Sequence, residues 1–302
     1  MVCGNCGFEI REGSKYCTQC GAPVTINPLP YVEQKQTFVV RKMPIVVIIV
    51  LTLGFFISGL FMEEGSMNVA AAVSCVPGIV LLCLIYKLDN IEPEPVGLLV
   101  KLFLAGGFVA TIAAMLIEMV LDGFISIFFS DNVLLYCFAQ AFILAAATEE
   151  LCKYGCLKFL TWKHPAFNYR FDGVVYSTAV AIGFDVIENL LYLVDSTADT
   201  AFIRAAFPGH CVFGIYMGYY YGQAKTLELS GDVKGAKAMR KKGVLTAIMI
   251  HGFYDFICFI GEYPESELLQ ILISIGLVLL MVVLNVTAYK NIKKFAYNDT
   301  PV

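Results

Sequence analysis

Charge is what this sequence has least of: Asp, Glu, Lys and Arg make up 15% of its 302 residues, against 58% hydrophobic residues. With a mean hydropathy of +0.73, that scarcity excludes an ordinary soluble domain and makes the bilayer the expected solvent. The net charge of -4 supplies no basic surface for nucleic acid. Residues 1 to 42 lack the apolar core of a secretory signal, so the N-terminus is expected to stay on the side where it is made. No spacing among Cys75, Cys83, Cys137, Cys152, Cys156, Cys211 and Cys258 suggests a disulfide, and these thiols read as small packing groups in apolar stretches.

What is present begins with four cysteines in the first 24 residues: Cys3-x2-Cys6, then ten residues, then Cys17-x2-Cys20, with Gly4, Gly7 and Gly21 beside them. Two such knuckles place four thiolates around one zinc, and a segment this short has no other way to build a core. The expectation is a closed, structural zinc ribbon over residues 1–24 that is also suited to binding a cytosolic protein partner. A linker over 25–43 contains Pro28 and Pro30 and carries the basic pair Arg41 and Lys42.

Apolar segments then follow one another. With ~20 residues per transmembrane helix, helices are expected near 44–62, 68–88, 98–121, 134–160, 174–194, 203–225, 243–261 and 268–288. The predicted fold class is therefore an all-α polytopic membrane protein of about eight spans plus the ribbon. Residues 44–290 are expected to form the membrane domain and 291–302 a cytosolic tail. Connections 63–67, 122–132 and 262–267 hold acids but no Lys or Arg, and 195–204 holds only Arg204. The alternate connections hold Lys87 and Lys101; Lys158, Lys163 and Arg170; Lys225 and the run Lys234 to Lys242; and Lys290, Lys293 and Lys294. The positive-inside rule then puts both termini in the cytosol of a multi-pass plasma-membrane protein.

Ionisable groups inside such helices are expensive and mark function. Glu149, Glu150 and Lys153 lie on the fourth expected helix, Phe184, Glu188 and Asn189 on the fifth, His210 on the sixth, and His251 and Asp255 on the seventh. The pairs Glu149/Lys153, Phe184/Glu188 and His251/Asp255 are each four apart, so each shares one side of its helix. Carboxylates and imidazoles gathered away from bulk water support amide hydrolysis in two ways. Glu149 or Glu150 would act as general base while His210 and His251 orient water or stabilise the oxyanion. Alternatively, His210, His251 and a carboxylate such as Glu188 would hold a catalytic metal, zinc by its ligand types, with a glutamate activating its water. No HExxH helix is present to favour metal.

In this order, each on its own helix, Glu149-Glu150-x2-Lys153, Phe184-x3-Glu188-Asn189, His210 and His251-x3-Asp255 resemble the PrsW family of intramembrane proteases. That family is related to the CAAX prenyl endopeptidases and bacteriocin-processing membrane enzymes. The stretch Asp89-Asn90-Ile91-Glu92-Pro93-Glu94-Pro95 is similar to the loop preceding the family's core, and the likeness covers roughly residues 80–260. The resemblance implies regulated intramembrane proteolysis of a membrane-protein substrate, a single-pass anti-sigma factor in the best-known case. It also implies catalytic roles for Glu149 and Glu150, with Glu188, His210, His251 and Asp255 completing the site.

Plainer readings exist for individual residues. Glu149 and Lys153 would neutralise each other as a buried pair, and a lone intramembrane histidine would serve as a hydrogen-bonded packing group. Gly214, Gly218 and Gly222, every fourth residue, read as a surface for close helix approach. The run Lys234 to Lys242 reads as an orientation signal facing anionic lipid, and Tyr219, Tyr220 and Tyr221 as an interfacial belt. Two other functions compete with the protease: a proton-coupled transporter, against which no paired broken-helix repeats are seen, and a non-catalytic membrane scaffold.

Overall fold

The computed structural model describes Gln19 and residues 67–89, 91–195, 204, 206–264 and 266–302. Cys3, Cys6, Cys17 and Cys20 and the expected helix at 44–62 lie outside these residues. Among the described residues seven helices follow in chain order: α1 Met67–Leu88, α2 Val96–Phe129, α3 Val133–Thr161, α4 Asp172–Asp195, α5 Gly209–Leu229, α6 Val233–Ile260 and α7 Glu267–Tyr297. Each falls on one of the expected spans. Among the described residues there is no strand, and the one β-type contact is the bridge between Tyr169 and Pro301.

Local chemistry sets where these helices begin. Pro95 and Pro208 precede α2 and α5, where a missing N–H costs nothing. Asn132 and Asp232 cap α3 and α6 by accepting hydrogen bonds from the N–H groups of Leu135 and Gly235, at 3.1 and 2.8 Å. Gly231, at φ 93°, supplies the left-handed residue in the tight α5–α6 turn. Two helices contain π-helical stretches, Ala105–Ala110 in α2 and Ala139–Ala147 in α3. The second ends directly before Thr148-Glu149-Glu150, so the extra residue per turn resets which face the two glutamates present.

Five of the helices are long and apolar enough to cross a membrane: α2, α3, α4, α6 and α7. α5 has the length, but His210, three tyrosines at 219 to 221, Gln223, Lys225 and Glu228 make it too polar by composition. Its surroundings explain the exception, for α5 packs against α4 and α6 and is enclosed by protein rather than lipid. α4 is likewise central, with 72% of its apolar window buried, whereas α7 is peripheral, with 11%. Large apolar side chains such as Phe108, Ile112 and Met119 on α2 and Leu272, Ile275 and Leu279 on α7 are exposed. A belt of this size is untenable in water and is expected against acyl chains.

Glycine lets α4 and α5 meet backbone to backbone. A Cβ on Gly222 would lie 2.0 Å from the Arg170 carbonyl oxygen, and one on Gly218 would lie 2.3 Å from that of Gly173. The glycine stripe read from the sequence is thus a packing device.

Two expected boundaries move. The basic run from Lys234 to Lys242 is not a loop but the first turns of α6, where Asp232 begins the helix early and Arg240 pairs with Glu228 on α5 at 3.0 Å. α7 continues to Tyr297, leaving only the last residues as a tail. That tail is pinned: Val302 N–H donates to Asn168, Arg170 N–H donates to Thr300, and Asp299 accepts from the N–H of Phe171. Asn168 also donates to Glu92, so the acidic connection 89–95, the connection 162–171 with Lys163 and Arg170, and the C-terminus meet.

Candidate active site

The ionisable residues on α3 to α6 converge. Glu149, Glu150, Lys153, His210 and His251 are all buried, and Glu150 is only 1% exposed. The Lys153 ammonium lies at their centre, 3.1 Å from Glu149 Oε2, 2.7 Å from Glu150 Oε1 and 2.7 Å from His210 Nδ1. The Phe184 ring centroid is 3.9 Å from the same ammonium, which holds its aliphatic stem and charge in place. The expected buried pair of Glu149 and Lys153 is therefore real, but it is one edge of a larger network.

Hydrogen-bond directions follow from the partners. An ammonium only donates, so His210 Nδ1 accepts from Lys153 and its Nε2–H is left to donate to Glu188 Oε2 at 2.5 Å. His251 has a carboxylate at each nitrogen, Glu150 at 3.1 Å from Nδ1 and Asp255 at 3.0 Å from Nε2. A doubly protonated ring satisfies both. Phe213 stacks on His251 with centroids 4.5 Å apart, and the two imidazole centroids are 5.2 Å apart.

These groups border a cavity of about 330 Å³ lined by Glu149, Asp185, Glu188, Tyr192, Arg204, His210, His251, Tyr254 and Asp255. Glu150 and Lys153 stand behind that wall. Of the residues expected from sequence, Glu149, Glu150, Lys153, Glu188, His210, His251 and Asp255 form one network, with Phe184 packed on it. Asn189 sits one step out, its Oδ1 accepting from Arg204 Nε at 2.6 Å.

Two members were not anticipated. Arg204 counted only as the lone basic residue of a connection otherwise free of Lys and Arg; its guanidinium instead pairs with Glu188 inside the site. Asp185 lines the cavity and is 5% exposed. Both carried a visible signal. Asp185 is a charged residue mid-span, and Arg204 breaks the charge pattern of its side of the membrane.

The donor set also fits a metal by chemistry. Glu149, Glu150, His210 and His251 each bring one ligand atom within 4.8 Å of the others, and carboxylates with imidazoles suit zinc. The Lys153 ammonium lies within hydrogen-bond distance of three of them, so an ion bound there requires Lys153 to withdraw.

A bundle of apolar helices that buries carboxylates and imidazoles around a cavity of about 330 Å³ is the architecture of a multi-pass membrane protein suited to hydrolysis. The model of the PrsW family of intramembrane metalloproteases matches residues 94–287, and a zinc-ribbon domain matches residues 2–24. The chain belongs to the PrsW family and is a membrane-embedded protease carrying an N-terminal zinc ribbon. Among relatives, the protease PrsW of Oceanobacillus iheyensis is 35% identical over 183 residues, 60% of this chain and 79% of that protein. That of Bacillus subtilis is 33% identical over 183 residues, covering 60% and 78%. The Clostridioides difficile protein is 31% identical over 189 residues, covering 61% and 76%. No solved structure matches.

Proposed function

We propose that the protein cuts a peptide bond of a membrane-protein substrate inside the bilayer, with Glu149 taking the proton from the attacking water. The observation that carries this reading is that Glu149, His210 and His251 share one cavity wall while Glu150 and Lys153 stand behind it. Two adjacent carboxylates repel, and Lys153 holds both. Glu150 then serves His251, fixing its ring together with Asp255. With both N–H groups held by carboxylates, the imidazolium places a fixed positive charge on the cavity wall, where it stabilises charge developing on the scissile carbonyl oxygen through space. His210, held by Lys153 and Glu188, shapes the cavity wall against which the water sits. Arg204 and Asn189 keep Glu188 in position.

One observation favours a second reading: the four donors Glu149, Glu150, His210 and His251 would together hold a zinc-class ion. Such an ion supplies a bound water that ionises near neutral pH. In that reading the residues keep their places and Lys153 swings out.

The resemblance suggests a single-pass, anti-sigma-factor-like substrate. Cys3, Cys6, Cys17 and Cys20 hold the structural zinc in this reading, and the ribbon over 1–24, joined by the 25–43 linker, recruits a cytosolic protein to the 44–290 membrane domain. Both termini face the cytosol in this reading, residues 291–302 being the last turns of α7 and a short tail, since Lys87, Lys101, Lys163, Arg170, Lys290, Lys293 and Lys294 flank the connections that meet there.

The test is comparative membrane proteomics of cells expressing wild type, Glu149→Gln or Glu150→Gln at equal abundance. A single-pass protein truncated only with the wild type is expected, with cleavage in each variant down by roughly 10²- to 10⁴-fold. Undiminished cleavage in Glu149→Gln would remove that residue from the proton transfer. Absence of any truncated species, with all three proteins inserted, would favour the scaffold, and solute-coupled proton flux in liposomes would favour the transporter.

A further inference from the structure

A second buried acidic cluster lies away from the active-site network, where the α1–α2 connection meets the start of α4. Asp89, Glu94 and Asp172 each place a carboxylate oxygen within 4.8 Å of the others. Acidic groups often cluster without consequence, but here the satisfied and unsatisfied atoms differ in a telling way. Asp172 Oδ2 accepts from the N–H groups of Asn168 and Tyr169 at 2.9 and 2.7 Å, and Glu94 accepts from the Tyr176 hydroxyl. Asp89 is 9% exposed, and its Oδ2 is buried with no hydrogen-bond partner.

Two more partnerless buried oxygens belong to the adjoining segments, Asn168 Oδ1 and Thr300 Oγ1. Among the described residues, no Lys, Arg or His forms an ion pair with Asp89, Glu94 or Asp172. The nearby Arg170 donates through Nε to Thr226 at 2.9 Å. Burial, then the neighbouring Asp172, Asp299 and Glu92, push the Asp89 carboxyl up to about 7. Burial pushes Glu94 to about 7 as well, against the pull of the Tyr176 hydrogen bond. Asp172 is pushed up to about 8, chiefly by burial; three carboxyls that are costly to ionise are thus gathered with no protein cation beside them, and a cation is the counter-charge that would let them ionise. Buried acceptors without donors need an explanation, and a bound cation supplies one.

We propose that Asp89, Glu94 and Asp172 bind a hard divalent cation of the calcium or magnesium type. The donors are all oxygen, with no imidazole or thiolate, which is the chemistry of these ions rather than of zinc. Asp89 supplies the free oxygen, and Glu94 and Asp172 supply the oxygens not used in their hydrogen bonds. Such an ion clips the end of α1 and the start of α2 to the first turn of α4, the helix that carries Phe184, Asp185 and Glu188. The site is thus placed to set the position of α4 from outside the catalytic network.

The experiment uses the full chain, purified in detergent after chelation, with ⁴⁵Ca²⁺ binding and thermal unfolding measured in added Ca²⁺ and, separately, Mg²⁺. Saturable binding near one ion per chain and a raised unfolding temperature in at least one cation are expected. Asp89→Asn should weaken that binding by at least about tenfold, in the range that loss of even an outer partner gives at metal sites. Glu94→Gln is the second variant, should Asp89→Asn fail to fold. A response to Ca²⁺ alone assigns the roomier, higher-coordinate ion, and a response to both assigns the class. No saturable binding of either ion at millimolar concentration, or binding unchanged in the variants, overturns the proposal.

Discussion

Arg204→Ala tests whether the site is an electrostatic network or a loose collection of polar residues. The guanidinium pairs with Glu188 and donates to Asn189 Oδ1 at 2.6 Å. Removing it leaves the Glu188 carboxylate with only the His210 Nε2–H for support. Loss of one partner from a buried pair costs about 3 to 5 kcal/mol. The low end, about 3 kcal/mol, applies because the two side chains keep 20% and 15% exposure towards the cavity. Removing the other partner as well should recover part of that loss. In a double-mutant cycle with Glu188→Gln, unfolding in detergent should show a coupling of at least about 1.5 kcal/mol. Arg204→Lys should restore less than half, because an ammonium cannot contact Glu188 and Asn189 with one planar fork. Additive effects within about 0.5 kcal/mol would refute the reasoning and reduce Arg204 to a surface residue.

Gly222→Val should destabilise the chain by at least about 1 to 3 kcal/mol, since a Cβ there meets a backbone oxygen at 2.0 Å. Gly155→Ala, where a Cβ meets nothing within 4 Å, should be neutral or gain roughly 0.5 to 1 kcal/mol; equal unfolding of the two variants would contradict the close-approach argument. Replacing Cys3, Cys6, Cys17 and Cys20 by Ser should remove about one zinc per chain, read by elemental analysis, while leaving membrane insertion intact. Zinc that persists in this variant and is lost with His210→Ala would support the metal reading of the active site.

Much of the architecture was legible in the sequence because the bilayer imposes a coarse length rule. Every described helix falls on an expected apolar stretch. Helix ends were less legible: Asp232 starts α6 eleven residues before the apolar run, so a basic stretch that looked like a loop is helical. The polar character of α5 gave no sign that it would be enclosed by α4 and α6, because enclosure depends on neighbours rather than on the helix itself. In the site, spacing identified faces on three helices but could not rank the two glutamates. They are adjacent in sequence, and only packing puts Glu149 on the cavity wall and Glu150 behind it.

By itself the sequence determined the solvent, the helices, the zinc-ribbon pattern and the chemical types gathered on α3 to α6. Those follow from composition and from periodicities of a few residues. Tertiary structure alone decided that Lys153 is the hub of the network, that Arg204 returns from its connection to pair with Glu188, and that Asp89 meets Glu94 and Asp172. The physical reason is that hydrogen bonds and ion pairs act over a few ångströms, and residues far apart along the chain come that close only once the helices have packed.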